Sequence, residues 1–260
     1  MLVLLPPSEG KATPDAGQRL ALSKLTFGEL GETRKVVADA LVRLCTGPAA
    51  RARTTLGIST RQDDELERNR ALFSAPTARA GEVYTGVLYD ALALDTLDAR
   101  SRRRAASDLA IASALFGLLR VTDRIPAYRL SADTSLPGIG RLAGIWREPV
   151  AEAIRAAAGR GVVLDLRSSA YVALGPVPAD LAERTAVARV FQEKGGRRVV
   201  VSHHNKATKG RLVRSLLAEP KPRTVRDLAA ALVAAGYRVD VEPPAGDGKS
   251  WTIDVIVKDL

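Results

Sequence analysis

Hydrophobic positions in this chain follow two patterns. Leu2-Val3-Leu4-Leu5 and Val162–Leu166 are short, nearly unbroken apolar runs, and each predicts a strand buried on both faces. Elsewhere the spacing is helical. Val37, Leu41 and Leu44 define a helix over Arg34–Leu44 that ends near Gly47-Pro48, and Asp63–Phe73 reads the same way. Ser101–Leu119 reads as one helix, basic at its start (Arg102, Arg103, Arg104) and apolar at its end. Arg120–Gly144 is rich in proline and glycine and reads as irregular, and the alanine-rich Val150–Ala158 as a helix. Ala188–Gln192 and Arg197–Ser202 flank Gly195-Gly196 as a β-hairpin. Lys206–Leu217 and Thr224–Ala235 follow as helices, the second with Thr224 as N-cap three residues before Asp227. Tyr237–Val241 and Trp251–Val257 close the chain as strands, with Gly246-Asp247-Gly248 between them. No repeat, low-complexity tract or linker interrupts this order. The pattern predicts a mixed α+β chain, a central β-sheet surrounded by helices, in one compact domain over 1–260.

Composition narrows the function classes. Of 260 residues, 46% are hydrophobic and 26% charged, which suits a folded globular chain and excludes disorder throughout. The single cysteine, Cys45, rules out an intrachain disulfide and a cysteine-built zinc site. The two histidines, His203 and His204, are adjacent; on a strand they would face opposite sides, a poor basis for a metal site. No metal or cofactor is expected. No stretch approaches the roughly 18–20 apolar residues of a membrane span, and Met1–Leu5 lacks the basic flank of a signal peptide, so no membrane partner and a cytoplasmic location are expected. The net charge of +10 predicts attraction to a polyanion or a phosphorylated ligand. An arginine- and alanine-rich composition of GC-rich coding origin is the alternative source of that charge.

Five segments carry candidate chemistry. Pro6-Pro7-Ser8-Glu9-Gly10-Lys11 follows directly on a buried strand, where open α/β sheets gather ligands. Gly10 admits close backbone approach, Lys11 supplies a point charge or an amine, and Glu9 is a candidate base. The Walker A pattern is absent. Gly81–Gly86 sets Tyr84 and Thr85 between glycines as hydrogen-bond donors. Phe116–Arg120, with Asp123, Tyr128 and Arg129, offers two guanidinium forks suited to phosphate. Asp165-Leu166-Arg167-Ser168-Ser169-Ala170-Tyr171 follows a second apolar strand; it puts Asp165 and Arg167 on one side and Ser168 and Tyr171 at the handover, without the Gly-x-Ser-x-Gly elbow of a nucleophilic serine. Lys206, Lys209 and Arg211 lie near a helix start, where cations oppose the helix dipole and so call for another reason to be there. Solvated turns, internal ion pairs and an ordinary charged surface are the competing readings of these segments.

Taken in order, Leu5–Lys11, Val83–Gly86, Phe116–Arg120 with Asp123, Tyr128–Leu130, Trp146, Asp165–Tyr171, Lys206 and Lys209–Arg211 resemble the YaaA family of bacterial peroxide-stress proteins. The resemblance implies a sheet surrounded by helices with a basic cleft, a cytosolic role limiting iron-mediated peroxide damage, and DNA binding through a helix-hairpin-helix-like element. Its nearest counterpart here is residues 34–73, with Thr55-Leu56-Gly57-Ile58 as the turn and Arg51, Arg53 and Arg61 as charge. Many members carry a Ser-Pro-Ala-Lys type run where this chain has Ser8-Glu9-Gly10-Lys11.

Two functions follow. One is a peroxide-stress protein binding DNA through a basic cleft. The other is an enzyme performing substitution or amine transfer on a phosphorylated or purine-nucleotide-like substrate. It would use Lys11 with Glu9 or Asp165 as base, phosphate held by Arg120, Arg129 and Lys209, and Tyr84 and Tyr171 orienting a base. A direct iron binder is disfavoured by the ligand inventory. Oligomeric state is not legible in the sequence.

Overall fold

A computed structural model describes residues 1–194, 197–199 and 202–257. Its main sheet has eight strands among those residues: β1 (Leu2–Leu5), β2 (Leu109–Ser113), β3 (Gly117–Arg120), β4 (Val163–Asp165), β5 (Thr185–Lys194), β6 (Arg197–Val199), β7 (Arg238–Glu242) and β8 (Trp251–Val257). The spatial order is β7-β8-β5-β4-β1-β2-β3, and β6 folds back on β5. β1 pairs in parallel with β2 (Val3 opposite Leu109) and with β4 (Val3 opposite Leu164). β4 with β5 and β5 with β8 are also parallel, while β3, β6 and β7 run antiparallel to their neighbours. The mixed α and β architecture thus matches the reading of the sequence. Every residue of β1 and β2 is buried, which explains why these strands lack the alternation of a half-exposed sheet.

Ten α-helices surround the sheet among the described residues: α1 (Gly31–Thr46), α2 (Ala49–Leu56), α3 (Asp63–Arg70), α4 (Ala80–Val83), α5 (Val87–Leu92), α6 (Ala99–Asp108), α7 (Leu142–Ala158), α8 (Ser169–Ala173), α9 (Ser202–Ala218) and α10 (Val225–Ala234). One hydrophobic cluster joins both faces of the sheet to these helices. The expected Thr224 cap is present: its hydroxyl accepts from the Asp227 amide at 3.1 Å, and Asp227 accepts in return from the Thr224 amide at 3.0 Å.

The single helix expected over Ser101–Leu119 is incorrect. The helix stops at Asp108, and the apolar remainder forms the β2–β3 hairpin. A continuous apolar run fits a buried helix and a buried strand equally well by periodicity, and here β1 supplies the open edge that decides it. Gly117 makes the hairpin possible. Its φ is +72°, and a Cβ there would lie 2.7 Å from the Trp146 ring. The helix expected from Val150 begins eight residues earlier, at Leu142, and carries Pro149 within it. His203 and His204 belong to the first turn of α9, not to a strand. The Gly195-Gly196 turn lies outside the described residues, although the strands it joins pair as expected.

The α5–α9 contact is unusually close. A Cβ on Gly210 would sit 2.2 Å from the Leu88 carbonyl oxygen. Gly210→Ala is therefore expected to force the helices apart at about 1–3 kcal/mol, read as a lowered denaturation midpoint with an unchanged m-value.

Candidate functional site

β2 and β4 lie on opposite sides of β1, so the chain leaves β1 toward one side and returns on the other. Such a reversal opens a crevice at the carboxyl ends of parallel strands. A cavity of about 650 Å³ lies there, bounded by the segments that follow β1 (Pro6–Lys11) and β4 (Leu166–Tyr171), by Thr85–Tyr89, by Arg129–Asp133, and by Asn205, Lys206 and Lys209 of α9.

Lys11 is central to it. Its Nζ donates to the carbonyl oxygens of Ser8 (3.2 Å) and Glu9 (3.4 Å) and lies 4.4 Å from the centre of the Tyr128 ring and 5.6 Å from that of Tyr84. Burial, and after it the nearby Arg129 cation, lowers its pKa to about 8. The Glu9 carboxylate accepts from Arg129 at 2.8 Å. The Ser8 hydroxyl donates to the Gly10 carbonyl at 2.6 Å and closes the loop.

Beneath Lys11 is a chain of hydroxyls. Tyr84 and Tyr128 oxygens are 2.8 Å apart, and Tyr128 is 2.8 Å from Ser113 Oγ, which accepts from the Phe116 amide. Both rings are almost fully buried and form a floor beneath Lys11, below the cavity lining itself. Burial raises both phenol pKa values far above their usual range, so the floor is uncharged. Tyr89 stacks near Tyr84 with ring centres 5.7 Å apart and donates to the Pro6 carbonyl. Tyr171 and exposed Ser168 line the β4 side, and Thr85 lines the side next to Gly10.

Lys206 and Lys209 reach the same cavity because three residues on a helix return to one face. Lys209 donates to the Leu166 carbonyl at 2.8 Å, and burial lowers its pKa against the opposing pull of Asp165. Arg211, two residues on, faces a different hollow beside Gly236 and Tyr237.

Five other expected site residues also lie off the cavity lining: Tyr84 and Tyr128, buried beneath Lys11, and Arg120, Asp123 and Asp165. Arg120 donates to the Leu109 carbonyl and stacks 4.9 Å over Phe27. Asp123 is buried, and its oxygens accept from the Thr26 amide and hydroxyl and from the Arg120 amide. Together they fasten the β3 end. Asp165 is bound through both oxygens by Arg167 Nε (2.9 Å) and Nη2 (2.7 Å). The region 34–73 forms α1, α2, a turn and α3. Arg51 and Arg61 are exposed there, but Arg53 is paired with Asp63, and Asp63, Asp64 and Glu65 open α3 beside the turn.

Asn69 escaped the sequence reading. Fully buried on α3, it accepts from the Arg129 amide and donates to the Arg129 carbonyl, both at 2.9 Å, which fixes the backbone that carries this cation. Its place three residues after Leu66, on the apolar stripe of the helix, was the available signal. Asp133, a carboxylate on the cavity lining, was also missed, because irregular segments offer no periodicity from which to read direction. No group of three or more His, Cys, Asp or Glu among the described residues is arranged to hold a metal, and no helix among them is long and apolar enough to cross a membrane.

The fold and this cavity define a mixed α/β protein with a crevice lined by Lys11, Arg129, Lys206 and Lys209. The family model described as "Peroxide stress protein YaaA" matches residues 1–242. A UPF0246 protein of Streptomyces coelicolor is 49% identical across the full length of both chains. One from Corynebacterium efficiens is 39% identical over 99% of this chain and 100% of its own, and one from Corynebacterium glutamicum strain R is 39% identical over 94% and 96%. The chain belongs to the peroxide stress protein YaaA family.

Proposed function

We propose that the chain serves its family's peroxide-stress role by binding a nucleotide-sized anion, free or within DNA, in the Lys11 cavity, so that bound DNA is shielded from iron-generated radicals. One observation carries this reading. Lys11, Arg129, Lys206 and Lys209, from three distant stretches of chain, converge on one hollow that also holds Tyr89 and Tyr171. Its volume lies within the roughly 300–1,000 Å³ of small-molecule sites and suits a single nucleotide unit rather than a duplex. Arg129 Nε is buried without a hydrogen-bond partner among the described residues, which leaves this guanidinium incompletely satisfied beside the cavity.

The test is a titration with a nucleoside monophosphate and with single-stranded and duplex oligonucleotides, followed by fluorescence anisotropy. Binding is expected to weaken steeply with salt and, for Lys11→Ala, by about tenfold or more. Lys11 is a cation only below its pKa of about 8, so affinity should decline as pH rises through that value. Absence of binding by all of these ligands at low salt removes the reading.

Catalysis at the same site is a second reading, favoured by the Lys11 amine. It is part-buried over aromatic rings beside a second cation, the setting in which lysine becomes a nucleophile near neutral pH.

A further inference from the structure

We propose that Lys11 forms a Schiff base with the aldehyde of a phosphorylated sugar, supplied either by the ring-opened deoxyribose of an abasic site in DNA or by a free sugar phosphate. The inference rests on the anion-binding reading above and names the chemistry of its occupant.

Three observations support it. First, Lys11 has no carboxylate partner among the described ion pairs, although Glu9 is two residues away; that carboxylate binds Arg129 instead. Among the described residues the amine's hydrogen bonds go to the Ser8 and Glu9 carbonyls, acceptors that leave its lone pair free once a proton is lost. Second, burial disfavours the ammonium by excluding water and Arg129 disfavours it by repulsion, and together they outweigh the opposing pull of Glu65 and Glu9. A lysine serving only as a phosphate clamp gains nothing from such a setting. Third, Arg129, Lys206 and Lys209 stand around the same hollow, so a ligand anchored by its phosphate presents its carbon skeleton to Lys11. Peroxide-derived radicals strip bases from DNA and leave such aldehydes, which ties the chemistry to the role of the family.

The step balances without a cofactor. Neutral Nζ adds to the carbonyl carbon, the C=O π pair moves to oxygen, and a proton shifts from nitrogen to that oxygen. The resulting carbinolamine takes up a proton and loses water, leaving a protonated imine.

The full-length protein is incubated with an oligonucleotide carrying one abasic site, or with ribose 5-phosphate, in the presence of cyanoborohydride, and the adduct is mapped by mass spectrometry. The expected result is a reduced adduct on Lys11 with at least one carbonyl compound; which of the two reacts assigns the source. Lys11→Arg should abolish the adduct while retaining a cooperative thermal transition, and Lys35→Ala, whose amine pairs with Asp39 on the surface, should leave the yield unchanged. The trapping rate should rise about fifteenfold between about pH 6.5 and about pH 8 and then level off, whereas an ordinary surface lysine keeps gaining until about pH 10. Mapping on the unaltered chain keeps the test valid if Lys11→Arg fails to fold. An adduct spread over surface lysines, or no adduct in a protein that binds the oligonucleotide, overturns the imine and leaves anion binding standing. Failure to bind either ligand removes both.

Discussion

Asp165→Ala is expected to destabilise the protein by about 3–5 kcal/mol, lowering the melting temperature by on the order of 10 °C. The Arg167 side chain is fully buried, and both Asp165 oxygens neutralise it. Arg167 also donates to the Gly175 carbonyl at 2.8 Å and so ties the end of β4 to the segment after α8. Removing the carboxylate strands a guanidinium in a low-dielectric interior, a larger loss than the pair itself ever contributed. Chemical denaturation of the folded fraction measures the effect. A change below about 1 kcal/mol would mean that water reaches Arg167 and that the pair does not hold this corner.

Trp146→Ala is expected to cost a further about 3–5 kcal/mol. The indole is fully buried beneath the β2–β3 hairpin; it donates to the Ala114 carbonyl at 2.9 Å and packs on Gly117. Its removal leaves a ring-sized cavity and an unsatisfied carbonyl at a turn that also holds Ser113. Since Ser113 anchors the Tyr128 hydroxyl, the floor under Lys11 should loosen as well. The pKa of the amine should then move back up toward 10.5, the opposite of the burial effect, as followed by pH-dependent labelling of Lys11. A stable variant with an unshifted Lys11 would separate the hairpin from the site.

The strand at Leu2–Leu5 was legible because an apolar run stopped by two prolines has few alternatives, and Trp251–Val257 because β-branched and aromatic residues dominate it. The Ser101–Leu119 stretch was not, since the helix gives way to a strand at Asp108-Leu109 with no proline or glycine to mark the change, and only the neighbouring β1 edge selects the outcome. Lys11, Arg129 and Lys209 could be named as cations near chain turns, but their meeting depends on strand order, which no local pattern encodes. Arg120 and Asp123 looked equally functional by residue type. Their hydrogen bonds to Leu109 and Thr26, made across distances of 11 and 97 residues, are invisible before folding.

The intimate apposition at Gly210 has a mechanical consequence. Lys209 and the Thr85–Tyr89 wall are carried by helices seated backbone against side-chain-free backbone, so that half of the crevice behaves as a fixed anvil. Any yielding for a bulky guest falls to the opposite lip, where an exposed Glu9 meets Arg129 in a solvent-screened pair that costs little to part.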